Sequence, residues 1–446
     1  MTSIERCDLL ICARWVVPVE PHGVVLDDHA VAVRDGVIVA LLPQREARLR
    51  FAPGECIELA DSALIPGLVN AHTHNPMTLM RGVADDLPLM QWLTGHIWPI
   101  EAAILGPDYC ADGAELAVAE MLRGGTTCCN ENYFFPDVIG EVYQRLGFRC
   151  RLGLPVIEFP TSWAANPDAY FDKALDVHAR FAGDALISTA FAPHAPYTVS
   201  DASFLRIRDL AAQLDIPVHC HVHETAQEVD DSIQQHGVRP LARLDRLGLI
   251  DSRLIAVHMT QLTDEEIALC AERGVSVVHC PESNLKLASG FAPIEALRRA
   301  GVNVALGTDG CASNNDLDMF GEMRTAALLG KAVARDASAL DAATTLRMAT
   351  IDAARALHLD RQIGSIEVGK QADLVALDLS ALETQPLYDP ISQLVYAGAR
   401  QQVHWVWIAG HARLRERELT NIDVPALTAR VRAWGERIAA LPRATA

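Results

Sequence analysis

Residues 64–74 read LIPGLVNAHTH, an apolar run that ends in two histidines separated by one residue. Side chains two positions apart on a strand point the same way, so His72 and His74 are placed to reach one ion. Imidazole nitrogens suit Zn²⁺ and Fe²⁺. The chain has 16 histidines, for which random placement predicts only about 0.6 His-x-His pairs. The run HCHVH at residues 219–223 contains two more such pairs.

Polar residues end one apolar run after another along the chain. Longer patterns typical of helices, such as residues 112–123 and 203–214, separate these runs. Repeated alternation of this kind predicts a parallel sheet, and the number of units predicts an α/β fold with a closed (β/α)₈ TIM-type barrel. Catalytic groups lie at the C-terminal strand ends of such barrels, so the polar end residues predict one metal site. They are His72, His74, residues 219–223, His258, His279 and Asp309.

Both chain ends are rich in short strand patterns. An Asp35-Gly36 pair between two apolar runs predicts a hairpin, and strands return at residues 372–377 and 404–408, followed by an amphipathic helix. We expect the two ends to form one small composite β-sandwich domain. The predicted division is residues 1–63 for its first part, 64–370 for the barrel, and 371–446 for its second part plus the C-terminal helix.

Composition excludes several classes of partner. The 57 acidic and 38 basic residues give a net charge of −19, which repels phosphate backbones and argues against nucleic acid binding. No uninterrupted apolar run approaches the roughly 18 residues of a membrane span. The eleven cysteines are scattered without a CxxC pair, which favours a reduced, cytoplasmic setting. We therefore expect a cytoplasmic protein that acts on a small molecule.

The motifs resemble the amidohydrolase superfamily over nearly the whole chain. The matching segments are PGLVNAHTH (66–74), HVHET (221–225), VH (257–258), GTDG (307–310) and GSIEVGKQADL (364–374). Within the superfamily, the chain is most similar to the methylthioadenosine/S-adenosylhomocysteine deaminases. That similarity is carried by WPIE (98–101), APHAPY (192–197), SNLKL (283–287) and ASNN (312–315).

The resemblance implies a metal site with one Zn²⁺ per subunit and Fe²⁺ as the alternative. The implied ligands are His72, His74, His221 and Asp309. Strand alternation does not show which of His219, His221 and His223 is the metal ligand, because all three would point the same way. The His-x-x-Glu spacing of the family identifies His221 as the ligand, together with Glu224. His219 is then interpreted as packing behind the ligands and His223 as lining the site, while His279 has no predicted role.

The lysines argue against a second metal. Several amidohydrolases bridge two metals with a carboxylated lysine from a middle barrel strand. The only lysine before residue 284 is Lys173, which lies in a helical pattern. A mononuclear site is favoured.

The resemblance also implies the reaction, a hydrolytic deamination at C6 of a 5′-modified adenosine. Its expected catalytic residues are Glu224, His258 and Asp309, and its expected substrate contacts are Glu101, His194, Glu224 and Trp98. Glu101 would accept hydrogen bonds from the ribose hydroxyls, while His194 would lie near the 5′ substituent. Residues 159–170 contain no arginine for an amino-acid carboxylate, so we expect 5′-methylthioadenosine to be converted to 5′-methylthioinosine and ammonia, with S-adenosylhomocysteine or adenosine as further substrates.

Other interpretations stay open at this point. Glu101 and Glu224 could be acids that stabilise helix N-termini, and His258 a buried histidine bonded to backbone. The same ligands would serve a deaminase or chlorohydrolase of a free base or triazine, such as guanine, oxidised guanine or a cytosine-like base. A non-enzymatic scaffold is disfavoured because no ligand is missing. Relatives are commonly homo-oligomers, which we expect here by resemblance.

Overall fold

The computed structural model describes residues 4–441, and their strands form two separate eight-stranded sheets. Strands β5–β12 form one sheet, and β1–β4 with β13–β16 form the other. In chain order the strands are β1 (Glu5–Val16), β2 (Leu26–Arg34), β3 (Val37–Pro43), β4 (Phe51–Pro66), β5 (Leu68–Thr73), β6 (Thr126–Glu131), β7 (Arg149–Val156), β8 (Ile187–Pro193), β9 (Val218–Val222), β10 (Leu254–His258), β11 (Ser276–His279), β12 (Asn303–Leu306), β13 (Leu374–Asp378), β14 (Val403–Ile408), β15 (His411–Arg415) and β16 (Glu418–Leu419).

Helices occupy most of the connections between the barrel strands. The α-helices are Gln44–Arg50, Leu89–Trp92, Trp98–Ile104, Pro107–Arg123, Pro136–Leu146, Pro167–Arg180, Asp201–Leu214, Ala226–His236, Pro240–Arg246, Asp264–Arg273, Pro281–Lys286, Ile294–Arg299, Met319–Ala334, Ala342–Met348, Ile351–Ala356, Pro390–Ser392 and Val424–Ala439. Shorter 3₁₀ or π-helical turns are Asn75–Met80, Leu93–Ile97, Leu382–Thr384, Gln393–Ala397 and Arg400–Gln402. Within residues 4–441, none of the helices has the length and apolar character needed to span a bilayer.

The β5–β12 sheet is parallel throughout and curves into a barrel. Its first and last strands meet where the backbone N–H of Asp309 donates to the carbonyl of His72 at 3.0 Å. A Cβ atom on Gly307 would lie 2.7 Å from the backbone nitrogen of His72, so only glycine permits this approach. The predicted (β/α)₈ barrel is confirmed, and closure brings His72 beside Asp309.

Both chain ends build the second sheet, as the sequence predicts. Its strand order is β16-β15-β14-β13-β4-β1-β2-β3, so β13 from the C-terminal part pairs with β4 from the N-terminal part. In this antiparallel pair Leu64 faces Ala376. The hairpin between β2 and β3 turns at Asp35 and Gly36, whose φ angles of 51° and 75° fit a type I′ turn.

The apolar run at residues 64–69 is divided between the two sheets. Strand β4 continues through Pro66 in the small sheet, and the barrel strand β5 begins at Leu68. A Cβ atom on Gly67 would overlap the Thr127 side chain at 1.9 Å, so the chain crosses between sheets at a residue without a side chain. The sequence pattern showed one continuous run because both halves are buried and apolar.

Strand β6 does not have the apolar pattern that predicts the other barrel strands. Its residues TTCCNE contain no valine, isoleucine or leucine, although every one of them is buried. Small and polar side chains fill this part of the barrel. Strand β6 completes the set of eight.

A buried ion pair joins the barrel to the small sheet. Arg149 on β7 donates from Nε and a terminal nitrogen to both oxygens of Asp373, at 2.7 and 3.0 Å. Burial opposes the charge on Arg149, but the Asp373 carboxylate raises its pKa. The pair therefore fixes the strand that follows Asp373 against the barrel.

The C-terminal helix, Val424–Ala439, packs against the barrel helix Pro107–Arg123. Trp434 donates from Nε1 to Asp112 at 2.8 Å, and Arg430 donates to Asp112 and Glu115 at 2.7 and 3.0 Å. The predicted apolar stripe faces this contact, with Leu427, Trp434 and Ile438 buried. The predicted division at residues 63 and 370 stays a prediction, and its outermost residues, 1–3 and 442–446, lie outside the described range.

Candidate active site

Three histidines and an aspartate from three strand ends of the barrel converge on one point. His72 belongs to β5, His74 follows β5 directly, His221 belongs to β9 and Asp309 follows β12. One ligand atom from each of the four lies within 4.8 Å of all the others. The Oδ1 atom of Asp309 is 3.2 Å from Nε2 of both His72 and His74.

Backbone carbonyls fix the orientation of two of the imidazoles. The Nδ1 atom of His74 donates to the carbonyl of Asn132 at 2.5 Å, and Nδ1 of His221 donates to the carbonyl of His194 at 2.6 Å. A carbonyl only accepts, so in a neutral ring Nε2 then carries the lone pair. These two Nε2 atoms are 3.3 Å apart and face each other.

This arrangement fits a divalent cation. Facing lone pairs from His74 and His221, beside the Asp309 carboxylate, need a positive charge between them, and nitrogen and oxygen donors of this kind suit zinc. Burial opposes protonation of His74, yet the Asp309 carboxylate raises its pKa to about 9. Burial lowers the pKa of His72 to about 3.

The Asp309 carboxylate is held by further hydrogen bonds. Its Oδ2 atom accepts from Ser283 Oγ at 2.7 Å and Ser313 Oγ at 2.8 Å, while Oδ1 accepts from the Gly310 N–H at 2.8 Å. Asp309 itself has a φ of 66°. A non-glycine residue held in this region costs about 1–3 kcal/mol and is found where surrounding contacts enforce it.

Glu224 and His258 lie beside the histidine–aspartate group. His258 ends β10 with a φ of 74° and donates from Nδ1 to Asn284 Oδ1 at 2.9 Å, which directs its Nε2 toward the cavity. That Nε2 atom lies 3.9 Å from Oε1 of Glu224. Burial raises the pKa of Glu224 above the usual value of a glutamate.

One cavity of about 660 Å³ is lined by His74, His221, Asp309, Glu224 and His258. Glu101, His194 and Trp98, the predicted substrate contacts, line the same cavity. Burial raises the pKa of Glu101 to about 7 and lowers that of His194 to about 4. Trp98 packs near Phe159, with ring centroids 6.0 Å apart, in an apolar wall that includes Trp92.

The Amidohydrolase family model matches residues 63–413, most of the chain. The chain belongs to the amidohydrolase family. The strand-end histidines and aspartate described above lie within the matched region, and so do the catalytic candidates Glu224 and His258.

Individual relatives of this amidohydrolase are similar over their full length. A 5-methylthioadenosine/S-adenosylhomocysteine deaminase of Teredinibacter turnerae is 45% identical over 99% of this chain and 100% of the relative. One of the same name from Saccharophagus degradans is 46% identical over 99% of both. The crystal structure of an adenosine deaminase from Xanthomonas campestris with bound zinc shares 68% identity at a TM-score of 0.98, covering 98% of this chain and 100% of that one.

His219, His223 and His279, the other histidines at strand ends of this amidohydrolase, differ in their surroundings. His219 contacts Nδ1 of His72 through Nε2 at 2.9 Å, consistent with packing behind a ligand. His223 donates from Nδ1 to the Gln261 carbonyl at 3.1 Å and accepts from the Leu241 N–H at 3.0 Å. The expectation that His223 lines the site is therefore wrong. His279 is buried, and burial lowers its pKa to about 3.

Several residues of the site were not predicted from the sequence. Tyr133 donates a hydrogen bond to Glu101 at 2.5 Å, and Asn284 orients His258. Ser283 and Ser313 hold Asp309. Ser283 and Asn284 belong to the segment SNLKL, and Ser313 belongs to ASNN. The similarity of these two segments to the family was the sequence signal that could have pointed to these three residues. Tyr133 had no such signal, because an aromatic residue after a strand is usually core.

Proposed function

We propose that this amidohydrolase removes the C6 amino group of 5′-methylthioadenosine by hydrolysis, producing 5′-methylthioinosine and ammonia. The observation that carries the proposal is the placement of Glu101 in the same cavity as the histidine–aspartate group. A deaminase of nucleosides needs both a hydrolytic centre and acceptors for ribose hydroxyls. The curated relatives named above support the same reaction class.

The proposed ligands of one Zn²⁺ per subunit are His72, His74, His221 and Asp309, with Fe²⁺ as the alternative. Their donor set fits the ion, and zinc is bound in the similar protein from Xanthomonas campestris. A Zn²⁺ ion held there supplies Lewis acidity and a hydrolytic nucleophile at neutral pH. The family and the deaminase relatives make a metal-dependent aminohydrolase the best-supported class.

The proposed proton transfers begin at Glu224. Adenine C6 resists attack until the neighbouring N1 is protonated, and a neutral Glu224 carboxyl group would give N1 that proton. Burial raises the pKa of this carboxyl group, which favours its role as a proton donor. His258 and Asp309 align the attacking water and accept its proton. A proton passed to the exocyclic nitrogen then releases ammonia.

The two ends of the nucleoside would meet different parts of the cavity. Glu101 would accept hydrogen bonds from the ribose 2′ and 3′ hydroxyls, since a carboxylate is an acceptor. His194 would lie near the ribose and its 5′ substituent, held by the contact of its Nδ1 with Thr198 Oγ1 at 3.0 Å. Trp98 would form part of the wall against the thioether.

The preference for methylthioadenosine is supported by the charges around the cavity. Among the described residues, no lysine or arginine lines it. Arg149 is bound to Asp373, and Arg151 donates to the carbonyls of Thr189 and Leu357. A substrate with an amino-acid carboxylate would lack a cationic partner, whereas a methylthio group needs only apolar contact. S-adenosylhomocysteine and adenosine are proposed as poorer substrates.

The alternatives on the same metal site are less well supported. A deaminase of free guanine or a cytosine-like base, or a triazine chlorohydrolase, would have no ribose for Glu101 to bind. A non-enzymatic scaffold is disfavoured by the complete donor set.

Two further properties are part of the proposal. A cytoplasmic location is supported by eleven free cysteines, and a homo-oligomer by the family resemblance.

A substrate panel tests the proposed function. Protein whose zinc content has been measured is incubated with methylthioadenosine, adenosine, S-adenosylhomocysteine, guanine and cytosine, and each reaction is followed by chromatography. We expect the highest kcat/KM for methylthioadenosine. Faster turnover of a free base than of every nucleoside would overturn the proposal.

A further inference from the structure

The carboxylate of Glu101 has a single hydrogen-bond donor within residues 4–441, the hydroxyl of Tyr133. Tyr133 Oη donates to Oε1 at 2.5 Å. Burial raises the pKa of Tyr133 well above its usual value, so the phenol keeps its proton and acts as the donor. No side chain or backbone group among these residues donates to Oε2. One oxygen of Glu101 is therefore fixed by the protein, and the other is left for a ligand.

Tyr133 is also tied to the histidine–aspartate group through its neighbour in sequence. Asn132 accepts the Nδ1 proton of His74 at its carbonyl, and its own N–H donates to the Thr73 carbonyl at 3.0 Å. Two consecutive residues after β6 thus hold one predicted metal ligand and the predicted ribose acceptor. This connection sets the separation between the reacting centre and Glu101.

The surroundings of Tyr133 keep its ring in place. The side chain is only 4% exposed, and its ring lies 5.6 Å from Phe134 and 6.5 Å from Tyr109. Tyr133 lines the cavity, but Tyr109 does not. The two tyrosines are similar in burial and differ in their contact with Glu101.

We propose that Tyr133 is a positioning residue that makes the enzyme selective for nucleosides with a ribose diol. The inference rests on the proposed function. The terminal torsion of a glutamate is broad and weakly restrained, so without a donor on Oε1 the carboxylate plane turns freely. With Tyr133 in place, the plane presents Oε2 and the remaining lone pair of Oε1 to two adjacent hydroxyl donors. In this proposal Tyr133 acts through Glu101, the side chain to which its hydroxyl donates.

The test compares Tyr133→Phe with wild type on two substrates, methylthioadenosine and its 2′,3′-dideoxy analogue. Loss of a hydrogen bond to a charged group is expected to raise the KM for methylthioadenosine about tenfold or more, with kcat within about twofold by the same reasoning. Turnover of the dideoxy analogue should be unchanged. Tyr143→Phe is the matched control, because it removes a buried hydroxyl that donates to another carboxylate, that of Glu131 at 3.1 Å, outside the cavity lining, and it should leave the ratio of the two substrates unchanged.

The inference is overturned if Tyr133→Phe loses activity equally on both substrates, which is the result of a purely structural role, or if it changes neither. Zinc content and thermal melting of each variant show whether it is folded. Should Tyr133→Phe fold poorly, Tyr133→Met, which also lacks a hydroxyl, takes its place in the same comparison. In a second comparison, Glu101→Gln is measured beside a double variant that also carries the Tyr133 substitution, and equal ribose selectivity in both is expected. A further loss in the double variant overturns the inference. Failure of the proposed function itself would be seen separately, as absent turnover by wild type.

Discussion

The Nε2 atom of His258 lies 3.9 Å from the Oε1 atom of Glu224, and the two side chains come from different strand ends of the barrel. Burial raises the pKa of Glu224, while the Nδ1 proton of His258 is committed to Asn284. The Nε2 atom of His258 therefore lies beside a carboxyl group whose pKa is raised by burial. The pair is placed to exchange protons with a substrate that enters the cavity.

Replacing Glu224 by glutamine should abolish most of the catalytic rate without loss of metal. The amide has nearly the same shape but gives no proton to N1, so we expect kcat to fall by about 10² to 10⁴. Steady-state rates and zinc analysis of the same sample measure both effects. Glu265→Gln, an exposed acid in the first turn of another helix, is the control and should be silent. A Glu224→Gln variant with near-normal kcat would remove Glu224 from the mechanism.

His221→Ala and His223→Ala should separate metal binding from folding. The first removes a proposed ligand, so zinc content and activity should both fall sharply. His223→Ala leaves the proposed ligands intact, but it removes the hydrogen-bond acceptor of the buried Leu241 N–H. This loss should lower the free energy of unfolding by about 1–3 kcal/mol. Metal analysis and urea unfolding check the pair. If His221→Ala kept its zinc and His223→Ala lost it, His223 and not His221 would be the metal ligand.

The preference for ribose should increase with pH. The pKa of Glu101 is raised to about 7, so the carboxylate that accepts hydroxyl donors forms as the pH rises through that value. We predict that kcat/KM for methylthioadenosine, divided by kcat/KM for its 2′,3′-dideoxy analogue, rises between about pH 6 and 8 and then levels off, since kcat/KM reports groups of the free enzyme. Taking the ratio of the two kcat/KM values cancels the effect of enzyme groups whose ionisation influences both substrates equally. A flat ratio in wild type, or the same rise in Glu101→Gln, would contradict this role of Glu101.

Asp373→Asn should destabilise the protein and leave substrate binding unchanged. It leaves the buried Arg149 without its counter-charge, which costs about 3–5 kcal/mol. The exposed pair of Arg48 and Glu58 is also doubly hydrogen-bonded at 2.7 Å, so Glu58→Gln is the matched control and should cost at most about 1 kcal/mol. Urea unfolding measures both variants. A changed KM for S-adenosylhomocysteine in Asp373→Asn would show instead that Arg149 serves the substrate.

The barrel and its polar strand ends were predictable because apolar strands alternate with helices and end in histidine or aspartate. Strand β6 was not predictable in this way, because its residues TTCCNE are buried but include none of the large apolar side chains usual in a barrel strand. The transition between sheets at Gly67 was equally hidden, since both sides of it are apolar. Periodicity finds elements, whereas the boundary between two buried strands depends on packing that a pattern does not contain.

The histidine cluster shows the same limit within the site. His219 and His221 both lie on β9, but the strand ends at Val222, and His223 has a φ of 54° beyond it. Its ring therefore turns away to the Gln261 and Leu241 backbone. Strand alternation assumed that all three point alike. The hydrogen bond from Tyr133 to Glu101 could not be predicted from the sequence either, because the two residues are 32 positions apart and meet only in the folded chain.

The most direct test of the account is ammonia release from methylthioadenosine by zinc-loaded protein, measured together with the adenine-to-hypoxanthine absorbance change. We predict one ammonia for each 5′-methylthioinosine formed, at a rate that a chelator abolishes and added Zn²⁺ restores. Substrate left intact by protein with a full complement of zinc would contradict the account.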